Sequence, residues 1–232
     1  MVIDILTLNL PSRGWKSGLP ESFEMEKFSG RHTMNIAMAA QKDDMEILLT
    51  QVLPDCLSIP IDSLTINDAH HLLFLQRMLM NHASPVVVNW TCRKPLFRYS
   101  SGVFNTIQGD IPALDQFPCE NFNQSIIDDQ SCAVAVLDAA SEEFDLARMR
   151  HYHHTLDENA LFNWHAAHMG PNFDANIARL ESQQDLELWT RLSAWVIKAR
   201  HGLSTQINVT CDHCGRPSGR EWDMRPRVFI NA

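Results

Sequence analysis

Cysteine is where this sequence offers chemistry. Six cysteines stand at positions 56, 92, 119, 132, 211 and 214. Only Cys211-Asp212-His213-Cys214-Gly215 has the spacing of a device. Two thiolates separated by two residues across a turn can reach one ion, and Gly215 is expected to relieve crowding behind them. Tetrahedral zinc takes about four ligands, so this knuckle supplies half a site. Cys92, at the end of Val88-Asn89-Trp90-Thr91, is the expected third ligand. Its own partner position holds Pro95, so the first knuckle reads as incomplete. Cys119, Cys132 or a histidine are the candidates for the fourth ligand. A redox pair is the competing chemistry, but it requires a thiolate at a helix N-terminus. Here the pair follows a strand and leads into Gly215-Arg216-Pro217. A tight turn with two free thiols is the plain structural alternative.

Nothing else in the sequence forms a catalytic constellation. There is no nucleophile elbow, phosphate loop, dinucleotide fingerprint or His-Glu-x-x-His. The run Arg148-Met149-Arg150-His151-Tyr152-His153-His154 reads as a solvated helix face, and no acidic base supports a hydrolytic site beside His165 and His168. Asp43-Asp44 and Asp128-Asp129 read as helix caps or loop residues. The expectation is therefore a non-enzyme, with no catalytic residues and no organic cofactor. The net charge of −9 opposes a duplex-binding surface, which needs concentrated Lys and Arg. No apolar run reaches the ~18 residues of a membrane span, and the start lacks the regions of a signal peptide. The chain is expected to be made in the cytosol, where cysteines serve as thiols or metal ligands more often than as disulfides.

Several elements must position the thiols. A helix is expected from Asp68 to His82, capped by Asn67, with Leu72, Leu73, Gln76, Leu79 and Met80 as its buried stripe. A second amphipathic helix, Leu186 to His201, carries Leu188, Leu192, Trp195 and Ala199, and Gly202 reads as its C-terminal cap. Each helix precedes a strand that ends in a cysteine. At a shift of 119 residues, His82, Asn89, Thr91 and Cys92 fall on His201, Asn208, Thr210 and Cys211. Phe23-Glu24-Met25 resembles Phe144-Asp145-Leu146, and His32-Thr33 resembles His154-Thr155, at nearby shifts. This reads as an internal duplication. The expected fold is α+β, with two diverged copies of a strand-helices-strand-knuckle unit. Residues 1–22 would form an extended N-terminal arm, 23–107 the first copy, 108–131 a linker and 132–232 the second copy. Pro112, Pro118 and several Asn and Asp residues suggest the linker, and a hairpin is expected over 96–107, turning near Ser100-Ser101-Gly102.

Three segments carry a family resemblance. They are Leu10-Pro11-Ser12-Arg13-Gly14, the helix Asn67-Asp68-Ala69-His70-His71-Leu72-Leu73-Phe74-Leu75-Gln76-Arg77, and Thr210-Cys211-Asp212-His213-Cys214-Gly215. Together they resemble the baseplate hub and hub-assembly proteins of T-even-type contractile-tailed phages. The resemblance covers about half of the chain and departs from the pattern at Cys92. It implies a structural subunit located in the virion tail baseplate. Such a subunit would touch other baseplate and tail subunits in a hetero-oligomeric assembly, and bind neither nucleic acid nor membrane. Alternatives are a transient zinc-binding assembly chaperone or adaptor, and a small zinc-knuckle nucleic-acid-binding protein.

Overall fold

The computed structural model describes residues 1–5, 9–80, 86–99, 114–127, 132–182, 186–222 and 224–229. In chain order these contain β1 (Val2–Asp4), β2 (Ser22–Glu24), α1 (Thr33–Lys42), α2 (Met45–Ile47) and α3 (Ile66–Leu79). Then come β3 (Val86–Thr91), β4 (Pro95–Tyr99), β5 (Leu114–Pro118), β6 (Phe122–Ile127) and β7 (Val134–Ala135). The chain continues through α4 (Ala160–Ala167), α5 (Phe173–Glu181), α6 (Leu186–Lys198), β8 (Gly202–Leu203), β9 (Gln206–Thr210) and β10 (Pro217–Glu221). The class is α+β: helices with five antiparallel two-stranded pairings among the described residues.

The chain divides into two compact units, each discontinuous in sequence. The first is Met1–Ser84, Cys132–Ser204 and Met224–Ala232; the second is Pro85–Ser131 with Thr205–Asp223. This differs from the expected succession of arm, first copy, linker and second copy. The expected linker contributes β5 and β6, which pair with β4 and β3. Its Pro, Asn and Asp residues suggest a linker, yet several stand in paired strands: Asp115 and Pro118 in β5, Asn123 in β6. In β6, Asn123 and Ile127 are buried while Phe122, Gln124 and Ile126 are exposed. The hairpin expected over 96–107 has its first strand in β4, which pairs with β5; the proposed turn lies outside the described residues.

The first unit is built around α3. Thr65, not Asn67, caps this helix, accepting a hydrogen bond from the Asp68 N–H at 2.9 Å. Nearly every side of it is covered: Ile66, Ala69, Leu72, Leu73 and Phe74 are buried together with Asp68, His71, Gln76 and Arg77. A helix buried all round shows a weak stripe in sequence, which is why its polar positions were legible only in part. The expected cap at Asp44 is present, its side chain accepting from the Glu46 N–H at 2.9 Å.

The N-terminal residues are part of this body, which corrects the expectation of an arm. Ile3 and Leu10 are fully buried, and Pro11 and Ser12 with them. The chain turns at Pro11–Gly14, with Gly14 at φ +64° and the Arg13 N–H bonded to Leu10 O at 2.8 Å. What composition could not reveal is that the turn docks on α3. The Ser12 N–H donates to Asp68 Oδ1 at 2.9 Å in a fully buried bond. The Pro11 carbonyl accepts from the Leu137 N–H at 2.9 Å, and Lys16 Nζ donates to the Ser141 and Phe144 carbonyls at 2.7 and 3.0 Å.

A second cluster of the same unit surrounds α6. Leu188, Leu192, Trp195 and Ala199 are buried as the spacing predicts, against Leu137, Phe144, Leu146, Ala166 and Leu180. Trp195 Nε1 donates to Asp145 O at 2.7 Å. Gly202 lies beyond the helix, in β8, and its role is close approach. A Cβ there would sit 3.1 Å from Asn67 Cβ and 3.2 Å from Asn67 O, at a φ of +95° that side chains rarely adopt. The run 148–154 is not a solvated helix face. It forms two short 3-10 turns with Met149, His151 and Tyr152 buried, and Arg148, also buried, pairs with Asp145 at 3.0 Å.

Buried histidines give this unit a pH dependence. Burial pushes His168 down to about 4, against the smaller opposing effect of its bond to Trp164 O. Burial, aided by Arg150 and His154, pushes His151 down to about 4 as well. Both are neutral in the fold and titrate near 6.5 when unfolded. Their contribution is therefore present above about pH 6.5 and is lost as pH falls toward 4. For His168 it amounts to on the order of 3 kcal/mol. Thermal melts should be flat above pH 7 and fall steeply between pH 6.5 and 4, and His168→Gln should flatten that slope. An unchanged slope in the variant would show that His168 is not the group responsible.

Candidate metal centre

In the second unit, two antiparallel hairpins end in cysteine turns. β3 pairs with β6, with Thr91 opposite Phe122 as the last pair, and the chain then turns at Cys92. β9 pairs with β10, with Thr210 opposite Pro217 as the last pair, and the chain turns at Cys211. Alternation along these strands turns Val88, Trp90, Ile207 and Val209 inward, where they pack with the cysteines. Trp90 Nε1 donates to Ser125 Oγ at 3.0 Å, and the Arg220 guanidinium lies 4.7 Å from the Trp90 ring centre while donating to Thr91 O at 2.9 Å.

Four thiols meet at the end of this core. Cys92, Cys119 and Cys211 are buried and Cys214 is half-buried. All four Sγ atoms lie within 4.8 Å of one another. Cys92 Sγ is 3.8 Å from Cys214 Sγ, and Cys119 Sγ is 3.9 Å from Cys211 Sγ. A tetrahedron with Zn–S arms of about 2.3 Å has edges of about 3.8 Å, so these separations fit one tetrahedral ion. Four sulfur donors with no carboxylate select a soft, thiophilic metal.

The backbone prepares the thiols for this role. N–H groups of Cys214 and then His213 point at Cys211 Sγ and, with the Asn123 side chain, outweigh burial and lower it to about 6. Cys119 has a favourable N–H from Asn121, but burial and the three neighbouring thiols outweigh it and push it up to about 11. Four thiolates this close repel one another, and a divalent cation is the natural counter-charge. Asn123, itself buried, ties the two turns together. Its Nδ2 donates to Asn121 O at 2.9 Å and its Oδ1 accepts from the Asp212 N–H at 3.0 Å.

The three residues expected to be ligands, Cys211, Cys214 and Cys92, are brought together. Cys119 completes the set. Cys132 belongs to the other unit, and Cys56 sits 3.9 Å from His32 Nε2, away from the cluster. His165 and His168 instead bond the carbonyls of Leu161 and Trp164 on their own helix. Gly215 takes φ +67°, and a Cβ there would meet nothing within 4 Å. The glycine serves the left-handed turn and relieves no crowding. Sequence spacing alone did not single out Cys119, which lies 26 intervening residues from Cys92. The one available signal was that Cys119 stands three residues before Phe122, as Cys214 does before Pro217.

The fold and site thus define an α+β protein whose smaller unit holds four cysteines placed to take a metal ion. No protein-family model, curated protein or solved structure matches the chain. Among the described residues no helix is long and apolar enough to cross a membrane.

Proposed function

We propose that the four cysteines hold one structural zinc ion, and that the chain is a structural subunit of a contractile phage tail baseplate, hub or hub-proximal. The observation that carries the structural reading is the closed donor set. Four thiols fill a tetrahedron and leave no position for substrate or water, which is the mark of structural zinc. The ion would cross-link the two hairpins and neutralise their thiolates. The chain then acts by contact with other baseplate and tail subunits, in the virion, without catalysis of its own.

The baseplate assignment is supported by the resemblance and by what its segments do. Leu10–Gly14 and the Asp68–Arg77 helix meet through the buried Ser12–Asp68 bond, and Arg77 at the far end of the helix is buried and donates to Val228 O at 2.6 Å. Residues of a shared pattern that lock one another in place are what a family would keep for its fold. The helix-strand-knuckle stretches around α3–β3 and α6–β9 are, on this reading, copies of one unit. The net charge of −9 weighs against the nucleic-acid alternative.

Quantitative mass spectrometry of purified phage particles tests the assignment. The chain should be present at a fixed, low copy number per tail. Presence in assembly intermediates with absence from mature particles would make it a transient assembly factor. Absence from both would remove the baseplate reading.

A further inference from the structure

The two cysteine turns match residue for residue once one segment is set aside. In the second, Cys211 and Cys214 flank Asp212-His213, and the returning strand starts three residues later at Pro217. In the first, Cys92 is followed by Arg93-Lys94, the chain leaves through β4 and β5, and it returns at Cys119, with the next strand starting three residues later at Phe122. The flanking register agrees as well. The last ladder pair is formed in each case by the residue before the first cysteine and the third residue after the second cysteine. The first cysteine of each turn donates its N–H to the carbonyl two residues beyond the second: Cys92 to Asn121 at 2.9 Å, Cys211 to Arg216 at 3.1 Å.

We infer that the hairpin 95–118 is an insertion within the first of two equivalent knuckles, and that the metal centre assembles without it. This deepens the zinc reading above and rests on it. Three observations carry it. All four Sγ atoms come from residues outside 95–118. So does the Asn123 link between the two turns. And the hairpin is closed at its base, where the Cys119 N–H donates to Lys94 O at 2.9 Å and Pro95 pairs with Pro118. Antiparallel partners stand about 4.5–5.5 Å apart at Cα and directly bonded residues 3.8 Å. Joining Lys94 to Cys119 thus needs a shift of about 1–2 Å and recreates Cys-Arg-Lys-Cys, with the two-residue spacing usual for a zinc knuckle.

The test compares three chains: the full-length parent, a variant lacking only residues 95–118, and one with 96–117 replaced by a Gly-Ser linker of equal length. The probes are zinc content and the visible spectrum after cobalt(II) substitution, which reports the number of thiolates. All three should carry one metal per chain with the same four-sulfur spectrum, and zinc affinity should agree within about tenfold. A parent with metal beside two variants without it, or with fewer sulfurs, overturns the inference and leaves the zinc reading intact. Retention only by the linker variant shows that the turns are not equivalent and also overturns it. A parent without metal removes the zinc reading, and the inference with it.

Discussion

Cys119→Ser in the full chain is expected to abolish stoichiometric zinc and to unfold the smaller unit, leaving α3 and α6 protected. The reason lies in the size of its core. The unit consists of stretches of 47 and 19 residues. Its buried cluster is Trp90 and Val209 with three of the cysteines. Below about 70–80 residues a single core rarely gives more than about 3–5 kcal/mol, and small domains need a staple. Structural zinc supplies about 10–16 kcal/mol of apparent binding energy in finger peptides at neutral pH, and that energy is folding energy. Breaking the set therefore outweighs anything the remaining core contributes. Hydrogen exchange should show protection lost across 86–91, 122–127, 206–210 and 217–221, with chelation having the same effect on the parent. Retained protection in the serine variant would show that the thiols are bystanders in an already stable sheet.

Deleting residues 1–14 is expected to destabilise the larger unit severely. The deletion removes Ile3 and Leu10, both fully buried, and strips buried Asp68 of the Ser12 N–H. Emptying each aliphatic site costs about 2–5 kcal/mol, and the lost bond to a buried carboxylate about 1.5–3 kcal/mol more. A loss of about 5–13 kcal/mol is comparable with the whole stability of a typical fold, about 5–15 kcal/mol. The truncated chain should lack a cooperative thermal transition for this unit. Leu10→Ala alone should lower the midpoint by about 4–20 °C, since each kcal/mol shifts a chain of this size by about 2–4 °C. A truncated chain that melts like the parent would restore the reading of these residues as an arm.

The particular residues show what sequence could reveal. The stripe on α6 was legible because one face of that helix is buried and one is wet, so Leu188, Leu192, Trp195 and Ala199 recur at helical spacing. On α3 the polar partners are supplied by Ser12 and Val228, far away in sequence, and no local pattern announces that Asp68 and Arg77 lie inside. The knuckle at Cys211 and Cys214 was legible because both ligands and the glycine of its turn are contiguous. Its counterpart was read as incomplete because a paired hairpin separates Cys92 from Cys119. The discontinuous units were hidden for the same reason: strand pairing between distant stretches is decided by register and burial, and composition between them reports only polarity. The linker reading failed on that point, where Asp115, Pro118 and Asn123 stand in paired strands.

Zinc K-edge X-ray absorption on the purified, reduced full-length chain tests the central claim most directly. Four sulfur neighbours at about 2.3 Å are predicted, with no nitrogen or oxygen in the first shell. A shell containing a histidine nitrogen or a water oxygen, or a protein that carries no zinc when purified from zinc-replete cells, would contradict it.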